Sequence, residues 1–208
     1  MSETPYPDVY FSRQDDSDDT LFYESARKVV HLDDRAIATL RDSVFAETLP
    51  SQAAILDLMS SWRSHLPSHL NPSRVVGLGL NAEEMADNPQ LTEARVQDLN
   101  ASPVLDFADS TFDAAVCTVS VQYLIRPVEL FEEVRRVLKP GGVFVVSFSN
   151  RCFPSKAIWV WLYTDDDKHQ ALVSDYFRRA GFVKIAAKAF QPQGSDPLFV
   201  VTGSKSRR

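Results

Sequence analysis

Apolar positions in the first fifty residues take a helical spacing once, between Asp33 and Leu49, where Ile37, Leu40, Val44, Phe45 and Leu49 fall on one face. Asp33 or Asp34 caps the start of this predicted helix and Pro50 follows its end. From Ala53 the pattern changes to short apolar runs separated by helical or irregular segments: Ala53 to Leu58, Arg74 to Leu78, Ala94 to Gln97, Phe112 to Val119 and Val143 to Ser149. Runs of this kind read as parallel strands joined by crossovers. Before the fifth run, Leu130, Phe131, Val134, Val137 and Leu138 make one face of a helix over Val128 to Leu138, terminated by Lys139-Pro140-Gly141-Gly142. A further helix over Leu172 to Ala180 closes at Gly181. Phe182 to Phe190 and Pro197 to Thr202 then read as an antiparallel pair, with the turn in Gln191 to Asp196. The predicted fold class is α/β, a doubly wound sheet of seven strands, mostly parallel with an antiparallel C-terminal hairpin.

Residues 1–20 carry Asp15, Asp16, Asp18 and Asp19 and few core formers, so an acidic arm, partly mobile, is expected there. Its aromatics qualify that reading: Tyr6, Tyr10, Phe11, Phe22 and Tyr23 are too many for a solvated tail, and some should pack on the body or close over a ligand. Residues 21–208 read as a single domain with a helical cover (21–50), a ligand-binding half (51–150) and a second half (151–208). At 208 residues, 44% of them hydrophobic, the chain is long enough for one substantial core.

Charge and composition narrow the function classes. A formal charge of −6 argues against a nucleic-acid partner, and the basic end Lys205, Arg207, Arg208 is too short to change that. No apolar stretch is long enough to span a bilayer and the first residues lack the basic-then-apolar order of an export signal, so a cytoplasmic protein without a membrane partner is expected, as a monomer or homodimer. Cys117 and Cys152 lack the paired spacing of a metal site and are expected as buried thiols, with no metal ligands among them.

In an open α/β sheet, ligands bind beyond the carboxyl ends of the strands where strand order reverses. Four segments qualify: Ile55-Leu56-Asp57-Leu58-Met59-Ser60-Ser61-Trp62, Val76-Gly77-Leu78-Gly79-Leu80-Asn81, Val96-Gln97-Asp98-Leu99-Asn100 and Ser120-Val121-Gln122-Tyr123. Three more runs, Leu105-Asp106-Phe107-Ala108-Asp109-Ser110, Phe112-Asp113-Ala114-Ala115-Val116 and Glu132 through Arg135-Arg136-Val137-Leu138-Lys139-Pro140-Gly141-Gly142, give the chain a likeness. From about Ile55 to Asn150 it resembles the class I, Rossmann-like S-adenosylmethionine-dependent methyltransferases of type 11, including cyanobacterial and algal relatives with a Leu-Asp-Leu and Ser-Ser-Trp run. The resemblance implies S-adenosylmethionine as cofactor, S-adenosylhomocysteine as product and a methyl acceptor that is a small molecule.

The first strand departs from that pattern. Family members carry an acidic residue and then three alternating glycines, so that backbone approaches the cofactor; here Asp57-Leu58-Met59-Ser60-Ser61-Trp62 has no glycine. Either Ser60 and Ser61 replace the glycines at a helix N-terminus facing the methionine carboxylate, or the pocket has closed and the protein is a non-catalytic relative that binds or assembles. A dinucleotide is disfavoured, because its pyrophosphate needs the glycine-rich turn.

The resemblance implies further cofactor-binding residues: Asp57, Met59, Ser60, Ser61 and Gly79 around the first two strand ends, Asn81 at the ribose, Asp98 and Leu99 at the adenine, Ser120 after the fourth strand and Arg27 at the methionine carboxylate. Asn81 reads equally as a helix N-cap, Asp98 as a turn former, Arg27 as an exposed basic position, and Met85 as core rather than an adenine contact. His31 and His65 are the histidines nearest these loops, and no base is assigned to either. Acceptor contacts are expected from Gln122, Tyr123, Arg151 and Phe153, with Trp159 and Trp161 in lid or core. Ser120-Val121-Gln122-Tyr123 lacks the Asn/Asp-Pro-Pro-aromatic run of enzymes acting on base or amide nitrogen, which favours oxygen, sulfur or carbon acceptors.

Overall fold

A computed structural model describes residues 6–191 and 193–207 of the chain. Met1 to Pro5 of the expected arm, Pro192 of the expected turn and Arg208 of the basic end lie outside the described residues. Strands β1 (Ala54–Leu58), β2 (Arg74–Gly79), β3 (Glu93–Val96), β4 (Phe112–Thr118), β5 (Leu138–Phe148), β6 (Val183–Phe190) and β7 (Leu198–Ser204) form one sheet in the order β3-β2-β1-β4-β5-β7-β6. Neighbours among β1 to β5 pair in parallel, and β7 lies antiparallel between β5 and β6. This is the predicted doubly wound sheet with its C-terminal hairpin.

The helical segments are α1 (Asp19–Phe22), α2, α3 (Ala82–Ala86), α4 (Pro127–Val137), α5 (Trp159–Leu162) and α6 (Asp166–Arg179). The run α2 is α-helical over Asp34–Thr39, π-helical over Leu40–Phe45 and α-helical again over Ala46–Thr48. Asp33 caps it, its carboxylate accepting the Ala36 amide at 2.8 Å. Leu40, Val44 and Phe45 of α2 pack against Ile55, Val75, Val116 and Val145 on one face of the sheet. On the other face, Phe131 of α4 and Phe177 of α6 meet Phe144 of β5, with ring centroids 4.9 and 5.1 Å from it. Burial on both faces is why β1, β4 and β5 read as unbroken apolar runs.

Strand β5 begins five residues earlier than the apolar run indicates. Leu138 pairs with Phe112, then the register shifts before Ala114 meets Val143, and Gly141, at φ +83°, makes the irregular step. Asp113 anchors it: one carboxylate oxygen accepts the Lys139 ammonium at 2.8 Å, the other the Ala54 amide at 2.9 Å. The Phe-Asp and Lys-Pro-Gly-Gly runs therefore meet in one contact joining the amino ends of β1, β4 and β5.

Between β1 and β2 the chain forms no α-helix; residues 59–67 are irregular and a single 3-10 turn covers Ser68–Leu70. The helix N-terminus expected at Ser60 and Ser61 is thus replaced by a loop. Its left-handed positions, Met59 at φ 53°, His65 at φ 56° and Asn71 at φ 42°, and its prolines, Pro67 and Pro72, are incompatible with a continuous helix there.

The described part of the arm is docked. Tyr6 donates to the Asp175 carboxylate of α6 at 2.6 Å and stands edge-on to Tyr176, Tyr10 stacks on Trp159, and backbone bonds join Asp15 to Ser155 and Trp159 to Ser12. At the other end, Lys205 donates to the carbonyls of Arg136 and Leu138, so this part of the basic end is tied down rather than solvated.

Candidate functional site

The carboxyl ends of β1, β2 and β4 open into a cleft enclosing about 1170 Å³, its mouth included. Asp57, Met59, Ser60, Ser61, Gly79, Asn81, Asp98, Leu99, Ser120 and Arg27 all line it, although they come from five separate stretches of sequence. Tyr123 and Phe153 also line it. Gln122 is fully buried, donating to the Val119 carbonyl at 3.0 Å, and Arg151 is paired with Asp196 at 2.8 Å; neither reaches the cleft wall. Trp161 is buried against Phe148 and His169, and Trp159 packs on the arm. Met85 is buried and lies outside the cleft wall, in keeping with a core position.

The first turn is built without glycine, by hydroxyls. Asp57, 3% exposed, accepts the Ser60 hydroxyl at 2.8 Å and the Ser64 hydroxyl at 2.6 Å on one carboxylate oxygen. Asn88 then donates to Ser64 Oγ and to the Ser61 carbonyl, both at 2.9 Å. Burial pushes the Asp57 carboxyl up to about 6, against the opposing effect of the two hydroxyl donors. The turn lies so close to β2 that the Ser60 amide donates to the Leu78 carbonyl at 2.7 Å, while a Cβ added to Gly79 would stand 2.2 Å from the Ser60 carbonyl oxygen.

At the end of β2, Asn81 caps α3, its side-chain oxygen accepting the Glu84 amide at 2.9 Å while its nitrogen donates to the carbonyls of Tyr23 and Glu24. Asp98 forms a turn in which one carboxylate oxygen accepts the amides of Asn100 and Ala101. Arg27 lies over the Phe22 ring at 4.2 Å, and its Nε donates to the Phe22 carbonyl. His31 and His65 both line the cleft without a hydrogen-bond partner in the described chain, and burial, then neighbouring arginines, lowers the basicity of each.

Three charged residues of the wall carry no mark in the sequence. Asp19, 6% exposed, accepts Arg13 Nη1 on both carboxylate oxygens at 2.8 and 2.9 Å, Lys156 at 3.2 Å and Asn100 at 2.9 Å. Lys156 is 1% exposed and also donates to the Ser17 carbonyl at 2.8 Å. Glu84 is buried between the first turn and residue 27. Their partners lie far off in sequence, so no local pattern reveals them.

The family described as "Methyltransferase domain" matches residues 61–146, which run from the first turn through α4 into β5. Over that stretch the chain is similar to methyltransferase domains. Methyltransferase phqN of Penicillium fellutanum is 29% identical over 124 residues, 56% of this chain and 36% of that protein. Malonyl-[acyl-carrier protein] O-methyltransferase of Marinomonas sp. (strain MWYL1) is 30% identical over 120 residues, 53% of this chain and 43% of that protein. In each case the chain spans less than half the relative's length. A SAM-dependent methyltransferase from Aquifex aeolicus shares the fold, with a TM-score of 0.60 at 17% identity over 83% of this chain and 94% of that one.

The cofactor of such a methyltransferase domain is S-adenosylmethionine, and the cleft has groups that fit it. The Leu99 amide donates to no group of the described chain, the second carboxylate oxygen of Asp98 takes no bond, and Thr118 Oγ1 is buried in the wall without a partner. An adenine offers its exocyclic amine to a carboxylate and a ring nitrogen to an amide, which matches Asp98 and Leu99.

Proposed function

We propose that the chain binds S-adenosylmethionine in this cleft and transfers its methyl group to a small-molecule acceptor. Support comes from one observation above the others: ten residues read from the sequence as cofactor contacts all line a single cleft at the carboxyl edge of the sheet. Asp98 and Leu99 take the adenine, and Asn81 lies at the ribose end. Ser60, Ser61 and Arg27 lie at the methionine end, where a guanidinium suits a carboxylate. Gly79 and Ser120 let backbone approach between them. The cofactor supplies an activated methyl group on sulfur. The protein's part is to bind, align and keep water out, and alignment alone accounts for most of the rate in a displacement of this kind.

The acceptor enters beside Tyr123 and Phe153, whose rings stack 6.2 Å apart at one end of the cleft. Isothermal calorimetry with S-adenosylmethionine and S-adenosylhomocysteine tests the reading directly. Binding near micromolar, about −8 kcal/mol, weakened severalfold in Asp98→Ala, is the expected result. Absence of binding to either compound by the intact protein sinks the assignment and leaves a methyltransferase fold that serves as a binding or assembly module.

A further inference from the structure

Residues 23–31 run across the cleft in no regular secondary structure and contribute Tyr23, Arg27, Val29, Val30 and His31 to its wall. Apolar packing holds only their two ends, where Tyr23 stands edge-on to Phe22 at 5.0 Å and His31 edge-on to Phe153 at 4.7 Å; between these, Val29 is 52% and Val30 42% exposed. Polar contacts to the body hold them instead. Asn81 donates to the Tyr23 and Glu24 carbonyls, Trp62 Nε1 donates to the Val29 carbonyl at 3.1 Å, and Lys28 pairs with Asp87 and, at longer range, Glu83. Glu84 is at the centre of this set. It is 5% exposed, and its two oxygens accept the Arg27 amide and the Ser61 hydroxyl, each at 2.5 Å.

That arrangement joins three parts of the site through one carboxylate: the strap from the arm, the glycine-less first turn, and α3 after β2. The Ser61 hydroxyl and the neighbourhood of Arg27 are also where a ligand carboxylate would be received, so the internal carboxylate of Glu84 engages donors at the anion end of the cleft. A segment with few buried apolar contacts and side-chain tethers belongs to the low-stability end of a fold and opens locally.

We propose that Glu84 is the latch of a strap, residues 23–31, that gates the cleft: while its carboxylate holds Arg27 and Ser61 together the strap is down, and release of the Arg27 amide lets the strap lift for ligand to pass. Glu84 is a positioning residue in this scheme. The inference rests on the reading that the cleft binds S-adenosylmethionine, but the strap's opening is measurable without any ligand.

The test uses the full chain. Amide hydrogen exchange followed by mass spectrometry reads the strap, and stopped-flow Trp62 fluorescence reads the rates of S-adenosylhomocysteine binding. Glu84→Ala is expected to speed exchange in 23–31 roughly ten- to hundredfold, the worth of hydrogen bonds to a buried charge, and to raise both association and dissociation rates. Glu84→Gln, which keeps one acceptor oxygen, should fall between, and Glu132→Ala, at an exposed position of α4, should match the parent. Ser61→Ala, which removes one of the two donors that the Glu84 carboxylate holds, should loosen the same segment and provides the answer if Glu84→Ala does not fold. Unchanged exchange in 23–31, or equal loosening of β1 and β4, overturns the latch. Binding by the parent with rates indifferent to Glu84→Ala also overturns it and spares the methyltransferase reading. A parent that does not bind S-adenosylhomocysteine sinks that reading, and the exchange data still decide the latch.

Discussion

The carbonyl oxygen of Ser60 lies where a side chain on Gly79 would begin, 2.2 Å from the position of its Cβ. The first turn lacks glycine, yet the close approach that glycines provide is still present: the bare position has moved to the facing strand.

Gly79→Ala is therefore expected to lower stability by about 1–3 kcal/mol, the cost of overpacking against backbone, and to weaken S-adenosylhomocysteine binding. Gly77→Ala should cost less. Its added Cβ meets Leu91 Cδ1 at 2.6 Å and the Ser60 hydroxyl at 3.0 Å, both of which belong to side chains that can turn away. Urea unfolding of the two variants checks the order.

Asp57 makes a pH-dependent contribution of unusual sign. Burial raises its folded pKa to about 6, above its ordinary value of 3.8, so the folded state holds the proton more tightly. Its contribution is most favourable below the unfolded value and is lost as pH rises through the folded one. Between pH 4.5 and 7.5 this amounts to about 2 kcal/mol. Asp57→Asn should accordingly gain on the parent by that margin on going from pH 4.5 to 7.5, as read by urea midpoints at the two pH values.

His31 and His65 work in the opposite direction. Burial depresses the folded pKa of each, first by desolvation and then through Arg151 for His31 and Arg63 and Arg41 for His65. Their contribution is present above the unfolded value, about 6.5, and falls as pH drops below it. NMR titration of the imidazole carbons should find both rings neutral at pH 7 and titrating below the free residue.

Asp19 neutralises two buried cations, Arg13 and Lys156. Removing it strands both, and Asp19→Ala should cost about 3–5 kcal/mol and expose the arm to proteolysis. Asp18→Ala, which removes only the exposed cap of the single-turn α1, should cost much less. Limited trypsin digestion, with cleavage at Arg13 as the readout, separates the two.

Much of this was legible in the sequence because the sheet is buried on both faces. Apolar runs marked β1, β4 and β5, and helical periodicity marked α2, α4 and α6. The segment after β1 was misleading, since a doubly wound fold usually places a helix there. The contrary signals, Pro67 and the Asn71-Pro72 pair, were present in the sequence. The strand start at Leu138 was hidden because Pro140, Gly141 and Gly142 read as a stop, whereas they form a bulge within a continuing strand. Most of the cleft wall followed from the rule about strand ends. Asp19, Glu84 and Lys156 did not, because a buried charge is tolerated only where distant partners meet it, and those partners emerge only when the chain has folded.

The contact between Asp113 and Lys139 stands at the amino edge of the sheet, on the side away from the cleft. The Phe-Asp and Lys-Pro-Gly-Gly runs thus maintain a frame at one edge, while the carboxyl edge is held by serines, an arm and scattered charges. Such a division lets one edge drift without endangering the other. Substitutions in the loops and arm of the carboxyl edge can therefore change what the cleft admits while the frame goes on folding as before.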